Sequence, residues 1–304
     1  LAALAVVAAP YDARCAQSIG LVMPRCCEFG DQTKDVIARG LAESGFPAKD
    51  LEILVQRPGA DKISIINAIR KLIAFDVKAL VVFGGTAARE AAREAKGFPV
   101  IVTGSYDPVG QNLIQSAERP GGNLTGVQCK TSLPFLLDSI LESTAVTKLG
   151  VVHHSENLDS QTQLAELGDL AAKKRFEVVT VDMKQAPGDG LAQSLAATQF
   201  VYLAAGCYPD FIDQAHLVGL GKPVATQCQQ GGGTLAVFSL AADEEETLLE
   251  AGRIAARILK GEKAGTIPFS AVKKINFVIN MALAQKLGLK IPFGLLSKAT
   301  KIIR

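Results

Sequence analysis

Along this chain, apolar runs of about four to eight residues alternate with stretches whose apolar positions return at helical spacing, a pattern that predicts repeated βαβ units with strands buried on both faces. The first strand is expected at Ile19–Met23, and the helix after it spans Gln32–Ser44, where Val36, Ile37 and Leu41 share a face and Gly45 ends the run. Strands Leu51–Gln56, Ala79–Phe83 and Val100–Thr103 follow, interleaved with helices Asp61–Phe75 and Ala87–Lys96. After Val127 the pattern restarts with helix Leu133–Ser143, strand Lys148–His153, helix Ser160–Arg175, strand Glu177–Val181, helix Leu191–Thr198 and strand Phe200–Ala205. Helix Phe211–Leu220 and strands Pro223–Thr226 and Thr234–Ser239 continue it. A helix over Asp243–Lys260 then opens on an acidic run suited to a helix N-terminus, and Lys273–Ile279 forms a late apolar crossing segment.

A pattern that restarts midway predicts two α/β lobes of similar topology with parallel sheets, each carrying its loops of chemical interest at the carboxyl ends of the strands. The chain is long enough for two cores at 304 residues. The expected boundaries are 18–125 plus 241–268 for the first lobe and 126–240 plus 269–304 for the second, joined by several crossings that let two bodies close by a hinge.

Composition narrows the function classes. With 48% hydrophobic residues, 20% charged residues and a net charge of +2, the chain reads as a globular α/β protein with no clustered basic face for nucleic acid. Residues 1–17 open on a short apolar run, Leu1–Ala9, which suits the apolar region of a secretory signal and is too short to span a bilayer. Export and a periplasmic or otherwise extracytoplasmic location are therefore expected. The six cysteines, at 15, 26, 27, 129, 207 and 228, have none of the spacings of zinc sites, so no metal or other cofactor is expected. Cys207 and Cys228 follow consecutive strands; a disulfide between them and two free thiols are both open.

The densest cluster of turn formers lies between Asp107 and Val127. Asp107-Pro108 starts a turn, Gly110 ends it, and Pro120-Gly121-Gly122-Asn123 permits positive φ. The pattern D-P-V-G, then R-P-G-G-N-L-T-G-V, resembles the signature of a family of bacterial ABC-transporter substrate-binding proteins that includes tryptophan-binding receptors. The segment Phe277–Pro292, with Asn280 before a helix and then L-G-L-K-I-P, resembles that family's ending. With the turn Gly84–Ala88, the resemblance spans roughly residues 18 to 304. It implies the periplasmic-binding-protein type I fold, two lobes closing on a solute.

Gly84-Gly85-Thr86 ends a strand and opens a helix, so backbone N–H groups and a hydroxyl face outward with a partly positive helix terminus behind them, a natural seat for a carboxylate. The resemblance assigns Gly85, Thr86 and Ala87 to the ligand's acid group; the plain alternative is Thr86 as a helix cap. Asp107 stands at the mouth of the fourth strand, placed either to pair with an amino group or to close its own Asp-Pro turn, and the Tyr106 ring is suited to stacking on a cation or aromatic ligand. Past the first strand, Arg25 and Glu28 are candidate polar contacts and Phe29 an apolar wall. In the second lobe the candidates are Ser155 and Asn157, Tyr208 and Asp210, and Gln227. His153 and His154 are neighbours and would face opposite ways on a strand, which argues against a metal pair.

No G-x-S-x-G motif or phosphate loop is present. The expectation is therefore a non-enzymatic, monomeric receptor that captures a small carboxylate-bearing solute, such as an amino acid or aromatic acid, and passes it to an ABC permease and ATPase. A ligand-sensing module for a signalling partner is the first alternative, and a doubly wound α/β enzyme the second.

Overall fold

The computed structural model describes residues 17–24, 32–184, 190–205, 219–227 and 235–304. In chain order its strands are β1 (Gln17–Val22), β2 (Leu51–Gln56), β3 (Ala79–Phe83), β4 (Val100–Ser105), β5 (Leu124–Gln128), β6 (Lys148–His153), β7 (Glu177–Asp182), β8 (Phe200–Leu203), β9 (Val224–Thr226), β10 (Phe238–Ala242), β11 (Ser270–Ala271), β12 (Ile275–Asn280) and β13 (Lys301–Ile303). The described helices are α1 (Gln32–Glu43), α2 (Lys62–Ala74), α3 (Gly84–Glu94), α4 (Leu133–Ser143), α5 (Leu158–Lys174), α6 (Gly190–Ser194), α7 (Glu244–Leu259), α8 (Met281–Lys286) and α9 (Phe293–Leu296).

Two sheets result. The first has the order β11-β5-β4-β3-β1-β2 and is parallel throughout. Its central strand β3 is buried along its whole length, as a strand covered on both faces must be. On one face Ile37 and Leu41 of α1 and Ile254 of α7 pack with Leu21 and Val81; on the other, Ile69 and Leu72 of α2 and Ala88 of α3 pack with Val22, Val82 and Val102. The second sheet has the order β13-β12-β10-β9-β8-β6-β7, with Phe200, Phe238 and Phe277 in its core. The expectation of wholly parallel sheets is corrected here: β12 runs antiparallel to β10, while the other described pairs are parallel.

Helix α7 returns from the second sheet to cover the first lobe, and its contact with α1 depends on two glycines. A Cβ on Gly40 would stand 2.3 Å from the Leu249 carbonyl oxygen, and one on Gly252 would stand 2.3 Å from the Ile37 carbonyl oxygen. The backbones therefore touch at a distance no side chain permits.

The chain changes sheets between β5 and α4, between β10 and α7, and between β11 and β12. These crossings lie a few residues beyond the boundaries expected at 125/126, 240/241 and 268/269. Two of them are tied side by side. Asp243 caps α7 by accepting the Glu246 N–H at 3.0 Å, and it also holds Lys274 Nζ at 2.7 Å and Asn276 Nδ2 at 3.1 Å. Glu246 in turn accepts the backbone N–H groups of Lys273 and Lys274 at 3.0 and 2.9 Å.

Smaller corrections concern element ends. Helix α3 begins at Gly84, not Ala87, α6 stops at Ser194, and the strand expected over Thr234–Ser239 is found at Phe238–Ala242. Most of the expected helix Phe211–Leu220, and cysteines 15, 26, 27, 207 and 228, lie outside the described residues. Cys129 is a free thiol, pushed up to about 11 by burial.

Candidate functional site

The carboxyl ends of β3 and β4 in the first lobe face the N-terminal turns of α5 in the second. Helix α3 starts immediately after β3 without a cap of its own: its Ncap residue, Phe83, provides no side-chain acceptor. Its first N–H groups therefore need a partner from elsewhere. Gly85 N–H donates to Asp159 Oδ2 at 2.7 Å. The same carboxylate accepts Tyr106 N–H at 2.8 Å and Gln111 Nε2 at 2.7 Å, both on Oδ1. Gln111 is held in this orientation by Ser105, whose Oγ donates to Gln111 Oε1 at 2.6 Å. One step along, Leu158 N–H donates to Thr86 Oγ1 at 2.9 Å.

Asp159 thus lies between two helix N-termini, its own in α5 and that of α3, both of which favour negative charge. It is 5% exposed. Burial pushes its pKa up, against the opposing effect of the N–H groups of Tyr106, Gln111 and Gly85.

A second cluster adjoins the first through Tyr106. The Tyr106 hydroxyl donates to Glu166 Oε2 at 3.0 Å, so this residue is held by its backbone at Asp159 and by its side chain at Glu166, two α5 residues about two turns apart on one face. Burial, reinforced by the Glu166 charge, raises the pKa of this hydroxyl far above the ordinary phenol value and keeps it a donor. Lys130 Nζ lies 2.6 Å from Asp107 Oδ2, 3.6 Å from Glu166 Oε2 and 5.6 Å from the Tyr106 ring centroid. Asp107 also accepts the Gly110 N–H at 2.9 Å, so it closes its turn and pairs with a cation at once.

The third cluster belongs to the second lobe. Tyr202 Oη lies 2.9 Å from Gln163 Oε1 and 3.0 Å from Gln227 Oε1, and Gln227 Nε2 donates to Thr131 Oγ1 at 2.7 Å. The Gln163 amide is oriented by the Ala205 N–H, 2.7 Å from its oxygen, which leaves its buried Nε2 without a partner among the described residues.

Of the residues expected from sequence, Gly85, Thr86, Tyr106 and Asp107 meet at this interface, and Gln227 lies in the adjoining cluster. Ala87 is packed in the first-lobe core. Ser155 is exposed, with its N–H donated to Asp182, and Asn157 caps α5 by accepting the Ser160 N–H. Arg25, Glu28, Phe29, Tyr208 and Asp210 lie outside the described residues. Sequence reasoning passed over Asp159, Gln163 and Glu166, although their spacing of four and three places them on one face of α5. A polar stripe of that kind ordinarily faces solvent; here first-lobe residues engage Asp159 and Glu166, and Tyr202 and Ala205 of the second lobe engage Gln163.

The arrangement offers backbone donors to an anion and carboxylates with an aromatic face to a cation. The chain has relatives that share this fold. A family model described as ABC transporter substrate binding protein matches residues 29–194 and 222–303. A tyrosine-binding protein of Clostridioides difficile (strain R20291) is 25% identical over 268 residues, covering 82% of this chain and 74% of that protein. Among solved structures, an ABC domain in complex with L-Trp from Streptococcus pneumonia superposes with a TM-score of 0.83 at 23% identity, covering 94% of this chain and 99% of that one. A conserved domain protein from Vibrio cholerae gives 0.81 at 22% identity over 94% and 99% of the two chains. These likenesses and the two-lobed α/β architecture agree with the family match, and the chain belongs to the ABC transporter substrate-binding protein family.

Proposed function

We propose that this chain is the extracytoplasmic receptor of an ABC importer, binding a small carboxylate-bearing solute, an amino acid or an aromatic acid, in the cleft between its lobes. It acts as a monomer, without covalent chemistry, and hands the solute to a permease and ATPase. The observation that carries this reading is the donor set at Gly85 and Tyr106, which holds a carboxylate, that of Asp159, at 2.7 and 2.8 Å. Donors that fit one carboxylate fit another of the same geometry. The nearby Asp107, Glu166 and Tyr106 ring hold the Lys130 ammonium, and the same set would seat a solute's amino group in its place once Lys130 swings away. The tyrosine-binding relative and the L-Trp complex of a structural neighbour support the same solute class.

The test is thermal unfolding against L-tyrosine, L-tryptophan, hydroxybenzoates, small dicarboxylates and sugars. A solute that binds only the folded chain adds about 2.7 kcal/mol of stability at a hundredfold excess over its Kd. A shift confined to amino acids or aromatic acids supports the reading, whereas a shift with sugars alone would overturn it.

A further inference from the structure

The donors that suit a solute's carboxylate are already engaged by the chain itself. Gly85 contributes a single N–H, and Asp159 Oδ2 takes it at 2.7 Å. The space beside Gly85 is filled as well: a Cβ built there would stand 2.9 Å from Asp159 Oδ1 and 2.7 Å from Gln111 Oε1. A second carboxylate cannot enter without meeting a like charge at contact distance in a buried setting. Asp159 belongs to the lobe opposite its donors, so its bonds tie the lobes together. The Leu158 bond to Thr86 and the Glu166 bond to Tyr106 reinforce that tie along the same helix face.

We propose that Asp159 is a built-in latch: its carboxylate sits in the anion seat, holds the lobes together, and must leave before a solute's carboxylate can take the Gly85 and Tyr106 N–H groups. The latched form does not bind the acid, so apparent affinity is the intrinsic affinity scaled by the unlatched fraction. Asp159 therefore sets how tightly this receptor holds any acid at that seat. The latching role stands on the geometry alone; the competition with solute rests on the function proposed above.

The experiment compares wild type, Asp159→Ser and Asp159→Asn, the last preserving volume while removing the charge. Lobe separation in the solute-free chain is read by energy transfer between one dye on each lobe, and affinity for L-tyrosine and L-tryptophan is read by calorimetry. Circular dichroism confirms that each variant is folded. The latch predicts that both variants shift the free chain toward the open form and that Asp159→Ser binds the acid about tenfold or more tightly than wild type. Free variants as closed as wild type would overturn it, as would an opened variant that binds the acid measurably but no more tightly than wild type. Should the variants open while none of the three chains binds either amino acid, the latch stands and the proposed solute class fails.

Discussion

Asp107 shows how one residue serves two purposes at the edge of the site. Burial tends to raise its pKa, but the Lys130 ammonium and the Gly110 N–H outweigh that and hold it below the ordinary value of 3.8. A carboxylate whose folded-state value is depressed stabilises the fold above its unfolded value, and that contribution is lost as pH falls through the folded value. Asp107→Ala should therefore cost on the order of 1 kcal/mol near neutral pH, modest because Lys130 is 42% exposed, and the difference from wild type should shrink below about pH 4. Denaturant unfolding at pH 7 and pH 3 checks both points. The same substitution should weaken binding of an amino acid about tenfold while sparing an acid that lacks the amino group. Asp107 was visible in the sequence because an Asp-Pro turn after an apolar run fixes its place at a strand end. Asp159 was not, because nothing local distinguishes a helix-start acid that faces solvent from one that faces another lobe.

At the scale of elements, α5 carries the second lobe's contribution and is capped at both ends by its own sequence. Asn157 accepts the Ser160 N–H at the start, and Arg175 ends the helix in the left-handed region at φ 62°. A side chain in that conformation is strained, and the exposed Arg175 side chain makes no hydrogen bond or ion pair among the described residues to offset it. Arg175→Gly should raise stability by about 0.5–1 kcal/mol, seen as a higher denaturant midpoint with an unchanged slope. The alternation of strands and helices was legible because βαβ units require continuous apolar strands and amphipathic helices. Strand direction was not legible for β12, since a short apolar run carries no sign of its sense and only the β10 pairing makes it antiparallel. Boundaries shifted where glycine removed the usual cue: Gly84 and Gly85 read as a loop, yet they form the first turn of α3.

Across the whole molecule, three crossings among the described residues join two lobes whose candidate site residues meet only when both are in place. The crossing at Asp243 carries a second titrating group, Glu244, which burial and then the Asp243 charge push up to about 7. A carboxyl raised in the folded state contributes stability that is fully present below the unfolded value of 4.5 and is lost as pH rises through about 7. Glu244→Gln should therefore match wild type near pH 4.5 and exceed it at pH 8 by about 1 kcal/mol, part of the shift being offset by the helix N-terminus on which Glu244 sits. Melting curves across that range report the difference.

The proposed seat for a solute's carboxylate is the pair of N–H groups at Gly85 and Tyr106, and the most direct test is calorimetric titration of the chain with L-tyrosine and L-tryptophan beside their neutral amides. The amides keep the ring and the amino group and lose only the acid. Binding of the acids with at least a hundredfold loss for the amides is the predicted result; amides that bind as tightly as the acids would contradict it.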